Sequence, residues 1–217
     1  MYHNITLELE ITDTKLVAVS KTKPEADILQ LYEQGQRIFG ENRVQEMTTK
    51  HESLPKDIEW HAIGHLQTNK VKTIAPYVSM IHSIDSLRLL VEVDKEARKN
   101  DRMIDVLLQF HIADEETKYG FELAEASNLL TKEIVEDMEN VNIVGVMGMA
   151  TFTEDEDQIR SEFTYLKQIF DELKDKFFSE KDAFKEISMG MSGDYRIAVE
   201  EGSTMVRIGS LLFGKRN

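Results

Sequence analysis

One lysine in this chain is placed where a lysine side chain can do covalent chemistry. Lys21 follows the apolar run of residues 16–20 and precedes Thr22, Lys23 and Pro24. An amine at the exit of a buried strand is partly desolvated, which lowers its pKa and leaves a nucleophile toward aldehydes. Most lysines are solvated surface charges, so this position predicts a reactive site.

A turn rich in glycine and hydroxyl groups follows a later apolar run. Residues 189–194 read MGMSGD and precede a short helical pattern. Glycines let backbone approach a ligand closely, and exposed N–H groups beside the Ser192 hydroxyl favour an anion. The turn around Gly193 is therefore a candidate phosphate site. An ordinary turn in which Ser192 or Asp194 caps the helix is the alternative.

A second turn of the same chemistry ends the last predicted strand. Gly209 and Ser210 follow Arg207, which alternates with the apolar residues Val206 and Ile208. A strand would carry this guanidinium inward or onto a rim, where it needs a carboxylate or a ligand as partner. Two adjacent turns of this kind favour a phosphate more strongly than either one does.

Histidines and acids carry weaker signals. Three histidines, His61, His65 and His82, could bind zinc, but His61 and His65 straddle a strand-to-loop transition and so do not form a helical pair. We therefore interpret them as structural. The acidic run at residues 154–157 is typical of a helix start, where negative charge suits the helix dipole.

Short apolar runs alternate along the chain with longer amphipathic segments, and this alternation gives the elements that position these residues. The apolar runs predict eight strands, at residues 15–21, 37–40, 59–64, 78–83, 104–112, 143–149, 185–189 and 205–208. The amphipathic segments predict helices at residues 25–34, 44–51, 68–75, 86–99, 122–138, 156–178 and 195–200.

Near-continuous apolar strands are typical of parallel strands that are covered on both faces. Eight strand–helix repeats in 217 residues predict a single-domain (β/α)8 TIM barrel spanning residues 1–217. An open doubly wound sheet is less favoured, because its first turn would be glycine-rich and residues 20–24 are not. In a barrel, the strand ends named above converge on one rim, where such folds carry their chemistry.

Composition excludes several classes of protein. The chain has no cysteine, which excludes disulfides, thiolate metal sites and cysteine nucleophiles. The formal net charge of −14 disfavours nucleic acids and anionic membranes as partners. No secretory signal and no apolar stretch of about 18 residues is evident, so we expect a cytoplasmic protein.

Five segments together resemble a known family. They are residues 18–24 (AVSKTKP), 39–42 (FGEN), 60–70 (WHAIGHLQTNK), 188–194 (SMGMSGD) and 202–209 (GSTMVRIG). In this order they are similar to the pyridoxal phosphate homeostasis protein family, whose fold resembles the barrel domain of alanine racemase. The resemblance runs from about residue 15 to residue 217 and implies pyridoxal 5′-phosphate as the cofactor.

The resemblance also implies roles for individual residues. Lys21 would form an internal aldimine with the cofactor, while its rival Lys23 would lie outside the pocket. Arg207 would face the pyridine nitrogen, and Asn42 would line the pocket. The phosphate would be held by Ser192, the backbone around Gly193, and the pair Gly209 and Ser210.

A cation against the pyridine nitrogen makes the ring a weaker electron sink, which handicaps carbanion chemistry. The resemblance therefore implies a monomeric carrier in vitamin B6 homeostasis, able to supply apo-enzymes, and not an enzyme. Related racemases add a tyrosine and a β domain, which we do not expect here; Tyr119 and Tyr195 are interpreted as helix-start or surface residues. An amino-acid racemase, a phosphosugar enzyme and an interaction module remain alternatives.

Overall fold

Eight parallel strands close into one barrel. The structure, a computed structural model, describes residues 1–114, 119–131, 134 and 137–214. The strands are β1 (Lys15–Val19), β2 (Ile38–Glu41), β3 (Glu59–Ala62), β4 (Met80–Ile84), β5 (Ile104–Gln109), β6 (Val141–Met147), β7 (Glu186–Met191) and β8 (Met205–Ile208). Each strand pairs with the next, and β8 pairs with β1. The predicted (β/α)8 TIM barrel is confirmed.

The helices surround the barrel. They are α1 (Tyr2–Ile11), α2 (Glu25–Glu33), α3 (Val44–Ser53), α4 (Thr68–Ile74), α5 (Leu87–Lys99), α6 (Leu123–Leu129), α7 (Glu156–Phe177), α8 (Tyr195–Glu200) and α9 (Ser210–Phe213). The longest, α7, buries Phe163, Leu166 and Leu173 on one face, as its 3.6-residue period requires. Its N-cap Asp155 accepts hydrogen bonds from two backbone N–H groups, of Asp157 and Gln158, which explains the acidic helix start.

Alternation along each strand divides the core into two regions. Residues such as Ala18 and Phe39 face outward and pack under the helices, in the large cluster that holds most of the buried apolar side chains. The residues that alternate with them along the strands, such as Val17 and Leu107, form a separate cluster inside the barrel. The barrel is therefore a packed body, and its open space lies at one end.

Many predicted strand boundaries differ from the observed ones by one to three residues. Strand β1 ends at Val19, so Lys21 lies in the following turn and not at the strand end. Strand β5 ends at Gln109, three residues before the predicted end at residue 112. Of the predicted helix at 122–138, residues 132–133 and 135–136 lie outside the described residues, as does Lys118.

Two helices were not predicted. Helix α1 buries only Ile5 and Leu9, and the hydroxyl group of Tyr195 in α8 donates a hydrogen bond of 2.7 Å to its Glu8 carboxylate. Helix α9 is a four-residue turn after β8. Both depend on contacts with distant parts of the chain, and such contacts leave little local signal in the sequence.

Candidate functional site

A cavity of about 620 Å³ opens where the strands end. Every predicted site residue lines it: Lys21, Asn42, Ser192, Gly193, Arg207, Gly209 and Ser210. These residues come from four strand–helix connections and are brought together because parallel strands end on the same side of a barrel. Met149, Thr151, Thr153 and Leu211 complete much of the wall.

Lys21 lies in a tight turn directly after β1. The Ser20 N–H donates to the Gly40 carbonyl at 3.0 Å, and the Lys23 N–H donates to the Ser20 carbonyl at 3.0 Å. Thr22, between them, has a φ of 65°, which is unusual for a residue with a branched side chain. The Lys21 side chain is half-buried and lines the cavity.

The expectation that Lys23 lies outside the pocket is wrong. Lys23 lines the cavity beside Lys21, although its ammonium group is engaged elsewhere. Its Nζ donates to the Phe213 carbonyl at 2.8 Å and to the Gly214 carbonyl at 3.2 Å. The turn at Thr22 brings Lys23 back toward the rim, which a continuous strand would not do.

The turn after β7 is closed by its own residues. The Met191 N–H donates to the Asp194 carboxylate at 2.5 Å, and the Asp194 N–H donates to the Met191 carbonyl at 3.2 Å. Asp194 is the N-cap of α8 by position, but its side chain does not cap that helix. Ser192 and Gly193 thus form the tip of the turn and line the cavity.

The two turns predicted to hold a phosphate contact each other. The Gly209 N–H donates a hydrogen bond of 3.2 Å to the Ser192 hydroxyl oxygen. Since that oxygen accepts, the Ser192 proton can be donated to another group. A Cβ placed on Gly193 would meet no protein atom within 4 Å, so the tip of this turn is open.

Arg207 places a buried cation at the floor of the cavity. The side chain is 4% exposed and donates to the Ser188 hydroxyl at 2.6 Å and to the Gly148 carbonyl at 2.9 Å. Burial lowers the pKa of Arg207 to about 10, a shift that the nearby Asp194 opposes. The guanidinium group therefore stays charged at neutral pH and favours an electron-rich atom above it.

A chain of buried hydrogen bonds leads from Arg207 into the barrel. Ser188 Oγ lies 3.0 Å from His82 Nδ1, and His82 Nε2 lies 2.9 Å from His61 Nδ1. Burial lowers the pKa of His61 to about 3, and burial together with the nearby His61 and Arg207 holds that of His82 well below its usual value. Both rings are neutral at physiological pH and form a buried polar pair.

Because the pKa values of His61 and His82 are lowered in the folded protein, we expect the protein to lose stability in mild acid. The unfolded state binds protons below about pH 6.5, whereas folded His61 does not until about pH 3, so the free energy of unfolding falls as pH falls through this window. We expect a His61→Gln variant to lose about 1 kcal/mol less between pH 6 and pH 5 than the wild type. Urea unfolding at both pH values measures this difference.

The core variant Ile81→Val is the matched control for that experiment. Ile81 lies beside His82 on β4 and is fully buried. Its replacement by valine removes one methylene group and no titratable group. It should lower stability at both pH values by the same amount. An unchanged pH dependence in His61→Gln would contradict the buried neutral histidine.

Neither of the two tyrosines considered as acid–base groups lines the cavity. The ring of Tyr119 stacks on His65 with ring centroids 4.0 Å apart, and the Tyr195 hydroxyl is bonded to Glu8. Among the described residues that line the cavity, Asp194 is the one carboxylic acid. Across the described ranges, no cluster of three or more His, Cys, Asp or Glu is arranged to hold a metal ion. No helix of the described chain is long and apolar enough to cross a membrane.

Comparison with known proteins defines the class and then the family. The family model of the alanine racemase N-terminal domain matches residues 1–217. The alanine racemase of Streptomyces coelicolor superposes with a TM-score of 0.76 at 14% identity, covering 94% of this chain and 55% of the racemase chain, which shows the shared fold alone. The molecule is thus a barrel of the alanine racemase N-terminal type.

Other relatives are much closer in sequence. The pyridoxal phosphate homeostasis protein of Aquifex aeolicus is 42% identical over 203 residues, which cover 93% of this chain and 87% of that protein. Its human namesake is 37% identical, over 97% of this chain and 79% of that protein. PipY of Synechococcus elongatus, solved with pyridoxal phosphate bound, has a TM-score of 0.84 at 34% identity over 93% of both chains. This chain therefore belongs to the pyridoxal phosphate homeostasis protein family.

Proposed function

We propose that this chain binds pyridoxal 5′-phosphate as a Schiff base on Lys21 and serves intracellular vitamin B6 homeostasis. The observation that carries the proposal is one cavity lined by Lys21 and Lys23, two joined glycine–hydroxyl turns and a buried arginine. Lys21 would hold the cofactor covalently: a C=N bond to its Nζ would replace the C=O bond of the aldehyde, and the oxygen would leave as water with the two protons of the neutral amine. The relative PipY, solved with pyridoxal phosphate bound, supports binding of this cofactor.

The remaining cavity residues fit the other parts of the cofactor. Ser192, Ser210 and the backbone around Gly193 and Gly209 would hold the phosphate, because hydroxyl and N–H donors converge at the joined turns. Arg207 would face the pyridine nitrogen from the floor. Asn42 would line the side of the pocket near Lys21.

The same geometry favours a carrier over an enzyme. When bound, pyridoxal phosphate supplies an aldehyde conjugated to a ring that can withdraw electrons. A permanent cation at Arg207 disfavours protonation of the ring nitrogen and so weakens that withdrawal. No tyrosine or histidine is found among the described cavity-lining residues to move a substrate proton. We propose that the protein is a cytoplasmic monomer that stores the cofactor or supplies it to apo-enzymes.

Titration of the purified protein with pyridoxal phosphate tests this function. A saturable visible absorbance band of the Schiff base, at one cofactor per chain, is the expected result. A phosphosugar enzyme or an interaction module that does not use the cofactor would give no such band. Either of those alternatives would then replace the proposal.

An amino-acid racemase is the second candidate, since the racemase barrel shares this fold. Incubating the cofactor-loaded protein with single amino acids in deuterated water separates the two. We expect no catalytic exchange of the α-proton above that of free pyridoxal phosphate. Sustained exchange with many turnovers would favour the racemase.

The phosphate turns give a prediction about affinity. Replacing Ser192 or Ser210 by alanine removes a hydroxyl donor to a charged acceptor, so each change should weaken cofactor binding by about 1–3 kcal/mol. That corresponds to a dissociation constant raised about 5- to 150-fold, as measured by absorbance titration. Ser161→Ala, on the exposed side of α7, is the control and should bind normally. Wild-type affinity in both turn variants would contradict the phosphate assignment.

A further inference from the structure

A buried lysine lies behind the turn that carries Lys21. Lys50 is 5% exposed and shares the buried face of α3 with Met47. Leu54, just after the helix, continues this stripe at a spacing of seven residues from Met47. An ammonium group at such a position is stable only if acceptors surround it. Lys50 is not among the residues that line the cavity.

The acceptors of Lys50 come from the strand ends and from its own helix. Lys50 Nζ lies 2.8 Å from the Ser20 carbonyl, 2.7 Å from Glu41 Oε1 and 2.7 Å from Glu46 Oε1. The Ser20 hydroxyl donates a bond of 2.7 Å to the same oxygen of Glu41. We call Ser20, Glu41, Glu46 and Lys50 the Lys50 cluster.

The Lys50 cluster holds the residue on each side of Lys21. Before it, the Ser20 carbonyl accepts from Lys50 directly. After it, the Thr22 N–H donates a bond of 2.6 Å to Glu46 Oε1, the oxygen that Lys50 also contacts. Thr22 has a φ of 65°, and a non-glycine residue keeps such a conformation only where its surroundings hold it there.

We propose that Lys50 is a positioning residue: its ammonium group fixes the backbone on both sides of Lys21 and so aims the reactive amine into the cavity. This inference rests on the proposed function, because aiming matters only if Lys21 attacks the cofactor. The covalent step needs the amine close to and aligned with the aldehyde carbon, and loss of such alignment slows a reaction strongly. Binding of the phosphate and ring depends on other residues and need not change.

The experiment uses a variant that leaves no buried unpaired charge. Among the described residues, Glu41 Oε2 is buried without a hydrogen-bond partner. Lys50→Met alone would therefore leave the buried Glu41 carboxylate without its cation. The double variant Lys50→Met/Glu41→Gln avoids this. The matched control is Lys99→Met/Glu96→Gln on α5, which removes an ion pair between a buried glutamate and a lysine elsewhere on the barrel.

Stopped-flow absorbance at increasing pyridoxal phosphate separates the two steps. The concentration dependence gives the dissociation constant of the first, non-covalent complex, and the plateau gives the rate of the covalent step. We expect the double variant to lower the plateau rate at least about tenfold, while the dissociation constant changes less than about threefold. The control should match the wild type in both quantities.

A plateau rate equal to that of the wild type in the double variant would overturn the positioning role, as would equal losses of rate and affinity. Absence of the band in the wild type would instead overturn the proposed function. If circular dichroism shows that the double variant does not fold, Glu46→Ala is used instead. The Glu46 side chain is 23% exposed, and its removal breaks the hydrogen bond from the Thr22 N–H. We then expect a plateau rate lowered at least about threefold, and no change would overturn the inference.

Discussion

We expect that replacing Lys21 by alanine abolishes the visible band that the proposed function predicts for the wild type with pyridoxal phosphate. The proposed Schiff base needs a primary amine at the aldehyde carbon, and Lys21 lines the same cavity as Asn42 and the two joined turns. The phosphate and ring contacts are unaffected, so the variant should still bind the cofactor reversibly. Absorbance titration together with equilibrium dialysis measures the two properties separately.

Lys23→Ala is the control for Lys21→Ala. Lys23 lines the same cavity, but its ammonium group is bonded to the carbonyls of Phe213 and Gly214. We expect this variant to keep the band, because Lys21 still supplies the amine. A band that persists in Lys21→Ala and disappears in Lys23→Ala would assign the covalent bond to the second lysine.

We expect Gly190→Ala to cause a large loss of stability by adding a single methyl group near the site. Gly190 ends the buried part of β7 with a φ of +94°, and a Cβ there would come within 2.5 Å of the Ala198 Cβ in α8. The left-handed conformation costs about 1–2 kcal/mol. Overpacking against α8 adds about 1–3 kcal/mol. Chemical denaturation should show the free energy of unfolding lowered by the sum of both terms.

Gly202→Ala separates the two terms. Gly202 also has a φ of +94°, but a Cβ there would meet only the flexible end of Lys167, at 3.6 Å from its Cε. This variant should therefore lose only the backbone term. Equal losses in both variants would contradict the close packing of the β7 turn against α8, and with it the rigid placement of Ser192.

The barrel could be predicted from sequence because its strands are apolar on both faces. Runs such as residues 143–149 and the long period of α7 need no knowledge of distant residues to be recognised. The site followed from the barrel, since parallel strands end on one rim. Lys21, Ser192 and Arg207 lie far apart in sequence, yet any closed barrel with these strands brings them together.

The features that sequence reasoning missed depend on pairings between distant residues. Helix α1 has only two buried residues, and its Glu8 is matched with Tyr195 and Arg196 at the other end of the chain. The one local signal for Lys50 is its place on the buried stripe of α3. Its hydrogen-bond acceptors Ser20 and Glu41 lie elsewhere in the chain. The return of Lys23 to the cavity depends on the Thr22 conformation, which composition does not encode.

The most direct test of the account uses the wild-type protein. Loading it with pyridoxal phosphate, reducing it with borohydride and mapping the digested peptides by mass spectrometry locates any pyridoxyl group on the chain. The account predicts one pyridoxyl group per chain, on the side chain of Lys21. A protein that is not labelled, or one labelled mainly at another lysine, would contradict it.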